Sequence, residues 1–349
     1  MEKIDIKSLS LDELKEVVKE MGEPAFRAKQ LYDWMHVKLS DSIDGMSNLS
    51  KELREKLKAS CYYTVLEPVQ VLRSKLDGTC KYLFRLPEEQ QKLKNNVIES
   101  VLMRYKHGNS VCISSQVGCR MGCRFCASTL GGLERNLTAA EMLEQIYRIQ
   151  QDSGERVDNV VVMGTGEPMD NLDNLFRFLN MLSDENGLHI SKRNVTVSTC
   201  GLPDGIRALA DAGADCTLAL SLHAPNDELR RTLMPIANKI SIREALAATD
   251  YYFEKTKRRI SFEYSLVSGV NDTREHALEL AQLLKGRNCH VNLIPVNPIA
   301  ERDYKASTAP NVAEFLSVLE QNHINATVRR TLGSDISASC GQLRKSYRA

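Results

Sequence analysis

Three cysteines, Cys119, Cys123 and Cys126, stand in the order Cys-x3-Cys-x2-Cys, with Gly118 and Gly122 beside them to allow a tight loop. Three thiolates on one loop can hold three irons of a cubane cluster and leave the fourth iron an open coordination site, unlike an electron-transfer cluster held by four cysteines. The same thiols also admit a zinc site with Cys112 as fourth ligand, or plain buried packing, although no histidine lies nearby and the spacing is unusual for zinc. Further along, Gly164-Thr165-Gly166-Glu167-Pro168 follows an apolar run at 160–163. Taken alone it reads as an ordinary turn.

The elements that must position these residues change character along the chain. Leu9, Leu11, Leu14, Val17, Val18 and Met21 fall near helical spacing, Gly22 stops that segment, and Pro24 opens another with Phe26, Leu31, Trp34 and Met35. Leu49, Leu53 and Leu57 predict a third helix, and alternating segments at 64–73, 79–86 and 96–104 fit antiparallel strands. From about Ser110 short β-branched runs at 111–114, 160–163, 195–198, 217–222, 260–264, 291–294 and 327–330 alternate with amphipathic helices. Thr138 and Glu141 form a capping-box pattern, after which Met142, Ile146 and Ile149 face the core. Six or seven strand–helix units imply a parallel sheet approaching a barrel. The expected fold is therefore α/β, a partial (β/α)6 barrel over residues 96–349 with a small helical accessory domain, containing short strands, over residues 1–95.

Composition bounds the class. The chain has 349 residues, 42% of them hydrophobic, with 46 Lys and Arg against 45 Asp and Glu, which excludes a disordered chain and leaves room for a large core. No apolar stretch approaches membrane-spanning length and the first ten residues do not read as a secretion signal, so the expected location is the cytoplasm with no membrane partner. Ten cysteines are too few for a disulfide scaffold of this size and read as reduced thiols. Residues 327–349 carry Arg329, Arg330, Arg344, Lys345 and Arg348 against Asp335 alone; such a segment suits phosphate contact or forms a solvated tail. The first sixty residues hold 11 basic and 12 acidic side chains, so any RNA recognition there relies on shape and local clusters.

The cysteine triplet with Phe125 before its last member resembles the signature of radical S-adenosylmethionine enzymes, and the Gly-x-Gly-Glu-Pro run stands where that superfamily has its glycine-rich motif. Ser114-Ser115-Gln116-Val117-Gly118-Cys119, Ser221-Leu222-His223-Ala224, Asn292-Leu293-Ile294-Pro295-Val296-Asn297-Pro298 and Ala338-Ser339-Cys340-Gly341-Gln342-Leu343 narrow the resemblance to the RlmN/Cfr family of RNA-methylating radical enzymes, over about residues 99–343. Pro168 favours its C2-methylating branch; the C8-methylating branch typically has Ala there.

That resemblance implies a [4Fe-4S] cluster on Cys119, Cys123 and Cys126 with S-adenosylmethionine on the open iron. It implies methylation of C2 of an adenosine in 23S rRNA and of one beside the anticodon in tRNA. C2 is too electron-poor to attack a methyl sulfonium directly, so the carbon is delivered as a radical: Cys340 is methylated, its methyl loses a hydrogen atom to the cofactor-derived 5′-deoxyadenosyl radical, and the methylene adds to C2. Cys112 then releases the adduct through a transient disulfide with Cys340, and Glu99 accepts the C2 proton. Gly166, Glu167, Ser198, Ser221, Leu222, His223 and Asn297 are the implied cofactor contacts, although His223 equally suits a packed core position. A reductant such as flavodoxin, a monomeric enzyme and an extruded adenosine complete the expectation. Cys61, Cys80, Cys200, Cys216 and Cys289 are read as structural. The remaining alternatives are a C8 methyltransferase and a non-catalytic zinc-stabilised RNA-binding protein.

Overall fold

A computed structural model describes residues 3–87 and 97–342 of the chain. The chain opens with strand β1 (Ile4–Asp5), then helices α1 (Leu11–Glu20), α2 (Phe26–His36) and α3 (Lys51–Ser60), and returns through β2 (Cys61–Tyr62), which pairs in parallel with β1. Ser10 begins α1 through a capping box with Glu13, and Ser50 caps α3 through the backbone NH of Leu53. Both satisfy amide donors that a helix start otherwise leaves open. Of the apolar positions of the sequence pattern, Leu14, Val18, Leu31, Met35, Leu49, Leu53 and Leu57 are buried, whereas Phe26, at the start of α2, is exposed.

Four antiparallel strands follow: β3 (Glu67–Arg73), β4 (Cys80–Arg85), β5 (Val97–Tyr105) and β6 (Gly108–Cys112). Beyond them lies a short antiparallel pair, β7 (Gln116–Gly118) and β8 (Leu133–Asn136). The remaining chain alternates: α4 (Ala139–Ser153), β9 (Asn159–Val162), α5 (Leu172–Ser183), β10 (Val195–Thr199), α6 (Pro203–Asp211), β11 (Thr217–Ser221), α7 (Asp227–Leu233), α8 (Ile242–Thr256), β12 (Ile260–Leu266), α9 (Arg274–Leu284), β13 (Cys289–Pro295), α10 (Ala309–Gln321) and β14 (Ala326–Val328).

One sheet carries the molecule, in the order β14-β13-β12-β11-β10-β9-β6-β5-β4-β3. From β6 to β14 every neighbouring pair is parallel, as helical crossovers require, which yields the partial (β/α)6 barrel. The order has two ends among the described residues, so the barrel stays open. The antiparallel strands are hydrogen-bonded onto it through β5 and β6, and the sheet thus runs across the 95/96 boundary expected from composition. Thr138 and Glu141 form the expected capping box at α4, and Met142, Ile146 and Ile149 are fully buried. One continuous hydrophobic core joins the N-terminal helices to the barrel. Among the described residues no helix is long and apolar enough to cross a membrane. Arg344, Lys345 and Arg348 of the basic segment, and Asn96 at the start of the third antiparallel segment, lie outside the described residues.

Candidate active site

The β7–β8 pair was not legible in the sequence, and it shapes the cysteine loop. Gly118 ends β7 with φ +77°, and a Cβ there would lie 1.9 Å from the carbonyl oxygen of Gly132. Cys119 NH donates to that same carbonyl at 3.0 Å. Only glycine permits this approach, and it turns the chain so that Cys119, Cys123 and Cys126 line one cavity of about 600 Å³, together with Gly166, Glu167, Ser198, Ser221 and His223. Gly166 has φ +117° and sits against Ser115 and Gln116, where a Cβ would meet three atoms within 2.8 Å.

Among the described residues no group of three or more His, Cys, Asp or Glu side chains converges on a single ion. The three thiols therefore face one space without sharing one centre, which suits thiolates that each bind a separate iron of a cluster. Burial pushes the Cys119 thiol up to about 12 and raises Cys123 and Cys126 as well; a cationic cluster offsets that cost when the thiols ionise. Cys112 lines a different cavity, which removes it as a fourth ligand and with it the geometry of the zinc alternative.

The cofactor-side residues cap the parallel strands. Glu167 is buried, and its carboxylate accepts from Cys200 NH at 2.8 Å and Met169 NH at 3.1 Å. Burial raises its pKa against those bonds. Ser198 and Ser221, at the ends of β10 and β11, stand 3.4 Å apart through their hydroxyls. His223 has φ +58° and accepts the backbone NH of Ser265 on Nδ1 at 2.9 Å, which assigns the proton of its neutral ring to Nε2. Burial pushes its pKa down to about 3, and its ring meets Phe125 edge to face at 4.8 Å. It is thus both packed and cavity-facing. Leu222 differs: its side chain is wholly buried and lines none of the three cavities described here, while its carbonyl accepts from Arg230.

A second cavity of about 600 Å³ shares Phe125, Cys126, Met163, Ser198, Ser221 and His223 with the first and extends to Asn297, Arg329 and Cys340. A third, of about 650 Å³, shares Met163, Asn297, Arg329 and Cys340 with the second and reaches Cys112. The three adjoin one another through shared wall residues, in the order cysteine triplet, Cys340, Cys112, and Met163 lines all three. Asn297 holds the Cys340 loop by donating to the Cys340 carbonyl at 3.0 Å. Cys340 is exposed, Cys112 is buried, and all ten cysteines are free thiols, so no disulfide joins the pair in this state. Burial, then the neighbouring Cys340, pushes the Cys112 thiol up to about 12. Glu99, on β5, is buried two residues from Val101, which lines the Cys112 cavity; strand alternation puts both on one face.

Three comparisons bear on this geometry. The Radical SAM superfamily pattern matches residues 113–283, and the ribosomal RNA large subunit methyltransferase N-terminal domain matches residues 4–62. A Lachnoclostridium phytofermentans protein named "Probable dual-specificity RNA methyltransferase RlmN" is 62% identical over 346 residues, covering 99% of this chain and 96% of its own. A relative of the same name from Clostridium perfringens is 54% identical over 98% of this chain and 97% of its own. The chain belongs to the RlmN family of radical S-adenosylmethionine enzymes. A solved radical SAM methyltransferase from Sphaerobacter thermophilus superposes with a TM-score of 0.92 at 42% identity, covering 98% of this chain and all of that one. As a member of the radical SAM superfamily, this protein uses a [4Fe-4S] cluster and S-adenosylmethionine.

Sequence reasoning missed several residues of the site. Arg230 is a fully buried guanidinium that donates to Cys200 O at 2.6 Å, Leu222 O at 3.1 Å and Ser221 O at 3.2 Å, tying together the ends of β10 and β11. Arg329, marked in the sequence as part of a basic segment suited to phosphate, was not placed at the cysteines; it lines both outer cavities, 3.4 Å from the Glu263 carboxylate, and Cys340, ahead of Glu263, raises its pKa. Lys81 is buried beside Glu99. Each depends on contacts between segments far apart in sequence, and no local motif announces them.

Proposed function

We propose that this protein methylates C2 of adenosine in 23S rRNA and in tRNA, carrying the new carbon on Cys340. The observation that carries the reading is the run of three adjoining cavities with shared walls, from Cys119, Cys123 and Cys126, along Ser198, Ser221 and His223, to Cys340 and then Cys112. When bound, the cluster and S-adenosylmethionine supply the electron, the hydrogen-abstracting radical and the methyl group. The protein's residues do the rest. Glu167 and Gly166 receive the methionyl end, Ser198, Ser221 and His223 border the remainder, and Asn297 fixes the Cys340 loop against it.

Arg329 places a positive charge where the Cys340 sulfur must act as an anion toward the first methyl group. Adding the methylene radical leaves one electron in excess on the base, which the oxidised cluster, when bound, would take back. Cys112, in the same cavity, is placed to give up its proton and attack the Cys340 sulfur: an S–S bond forms as the S–CH2 bond to RNA breaks, and the electron pair leaves on the methylene carbon, which takes up a proton to become the methyl group. Glu99 takes the proton from C2, and a dithiol reductant returns the two cysteines to thiols for the next cycle. The adenosine must leave its stack to bring C2 to Cys340, whose thiol is exposed rather than buried, and Arg329 and Arg330, both lining the outer cavity, suit the phosphates around it.

The helical region within residues 1–95 is assigned to RNA contact, the enzyme to the cytoplasm as a monomer, and its reduction to a flavodoxin-like donor. The test is an anaerobic assay of reconstituted protein with S-adenosylmethionine, dithionite and an rRNA fragment, reading nucleosides by mass spectrometry. 2-Methyladenosine together with 5′-deoxyadenosine is expected. 8-Methyladenosine would overturn the position of attack, deoxyadenosine alone the substrate, and neither product from cluster-loaded protein the enzyme assignment itself.

A further inference from the structure

Lys81 sits where the proton acceptor and the methyl-carrying loop meet. Across β4, β5 and β6 the register aligns Lys81, Val101 and Cys112 in one row, and Leu83 and Glu99 in the next row on that face. The Lys81 ammonium lies 3.5 Å from Glu99 Oε1, with both side chains less than a tenth exposed, and donates to the carbonyl of Ser337 at 3.2 Å. Three residues after Ser337 comes Cys340.

The turn between β3 and β4 grips the same loop further upstream. Asp77 accepts the backbone NH of Gly333 at 2.9 Å, and the Asp335 carboxylate accepts from the Ser74 hydroxyl at 2.7 Å and Lys75 NH at 3.0 Å. Gly333 and Ser337 both hold left-handed backbone, at φ +61° and +51°, a conformation that is unfavourable for a non-glycine residue such as Ser337 and persists where surrounding contacts impose it. Ala338 then packs against Val101 and Cys112.

We infer that Lys81 is a positioning residue that locks the Glu99 carboxylate and the Cys340 loop into one unit, so that the acceptor is charged and in place when RNA is attached to Cys340. The inference rests on the roles proposed above for Cys340, Cys112 and Glu99. In the step concerned the C2–H bond breaks, its electron pair remains with the base, and the proton passes to Glu99. A cation 3.5 Å from a buried carboxylate favours the charged form, the one able to accept that proton, and replacing it by a neutral side chain withdraws that support. Methylation of Cys340 and radical formation precede the step and do not need the carboxylate. Loss of Lys81 therefore stops turnover late, with RNA still bound to the enzyme.

The experiment measures three quantities under anaerobic turnover: 5′-deoxyadenosine, RNA covalently bound to protein, and released 2-methyladenosine. Lys81→Met is expected to form deoxyadenosine while the ratio of bound RNA to released product rises by about tenfold or more, the equivalent of ~1.4 kcal/mol. Lys81→Arg keeps the charge and is expected to restore release. Lys81→Gln retains a donor for Ser337 without the charge; it is expected to trap RNA too, and it covers the case in which the Met variant does not fold. Asp335→Asn loosens the loop but not the pair, and is expected to lower both RNA species together with their ratio unchanged. If Glu99→Gln traps RNA while Lys81→Met and Lys81→Gln release product normally, the inference about Lys81 is overturned. If Glu99→Gln itself releases product, the role of Glu99 falls instead.

Discussion

Two buried Lys–Glu pairs stand at different places in this molecule. Lys7 and Glu144 meet at 2.6 Å where the N-terminal helical region docks on α4, with side chains 1% and 0% exposed. The other Glu144 oxygen accepts from Arg148 Nε at 3.0 Å and Leu66 NH at 3.1 Å, and the Lys7 ammonium also lies 4.2 Å from the Tyr63 ring centroid. Lys81 and Glu99 are 3.5 Å apart on the strand face that also carries Val101 and Cys112, two residues lining the outer cavity, and the loop they hold ends in an exposed thiol. The first pair joins two parts of the core, while the second stands behind the wall of a cavity. Burial alone thus does not distinguish a structural ion pair from a working one. Its place in the fold does: a pair at a docking surface serves stability, whereas a pair behind a cavity wall is placed to serve chemistry there.

The largest expected effects lie at the cavity end and leave stability nearly untouched. Cys340→Ala is expected to abolish both methylation and covalent trapping, because no sulfur remains to carry the carbon. Cys112→Ala is expected to accumulate RNA bound to Cys340, visible as a shifted band under denaturing conditions without reductant. Because Cys340 is exposed, its truncation removes little packing, and unfolding by urea should occur at the parental midpoint. Free RNA alone from Cys112→Ala under turnover would remove Cys112 as the resolving thiol.

The docking pair should behave in the opposite way. Lys7→Met removes one of the two cations on the buried Glu144 carboxylate, leaving Arg148 on the other oxygen, and a partner lost from a buried group costs about 1–3 kcal/mol, read as a lowered urea midpoint. The fraction of RNA trapped against released per folded enzyme should stay at the parental value. A Lys7→Met protein that is fully stable but traps RNA would erase the contrast between the two pairs.

Much of this contrast was invisible in the sequence. The barrel was legible because each β-branched run is followed by an amphipathic helix, and the parallel strands appear within a few residues of the predicted runs. The cysteine triplet and the strand-end motifs were legible for the same reason: local spacing carries their chemistry. Lys81 lies 256 residues from its partner Ser337, and Lys7 lies 137 from Glu144; neither position shows a pattern that separates it from a surface lysine. The β7–β8 pair escaped because each strand is too short for alternation to register. The sheet likewise crosses the 95/96 boundary because pairing between β4 and β5, not composition, decides continuity.

The smallest predicted effect concerns pH and again separates the two ends. His36, buried against α4, shares a hydrogen bond between Nδ1 and the Tyr147 hydroxyl at 2.7 Å, while its Nε2 has no hydrogen-bond partner among the described residues. Burial, reinforced by the nearby Lys7 charge, pushes its pKa down to about 3 from an ordinary value near 6.5. The folded state therefore keeps the ring neutral across a range in which the unfolded chain binds a proton. Its contribution to stability is intact above pH 6.5 and is lost as pH falls toward 3, reaching a loss of about 2 kcal/mol at pH 5. His223 acts in the same direction at the cavity end. Replacing His36 with Phe keeps a ring there and removes the titration. Urea unfolding of His36→Phe at pH 7 and pH 5 should show a smaller loss of stability between the two than the parent, by that amount, while the residual slope contains the share of His223. An unchanged difference between the two pH values would mean that His36 binds its proton in the folded state, and that the docking surface admits water where the buried ring excludes it.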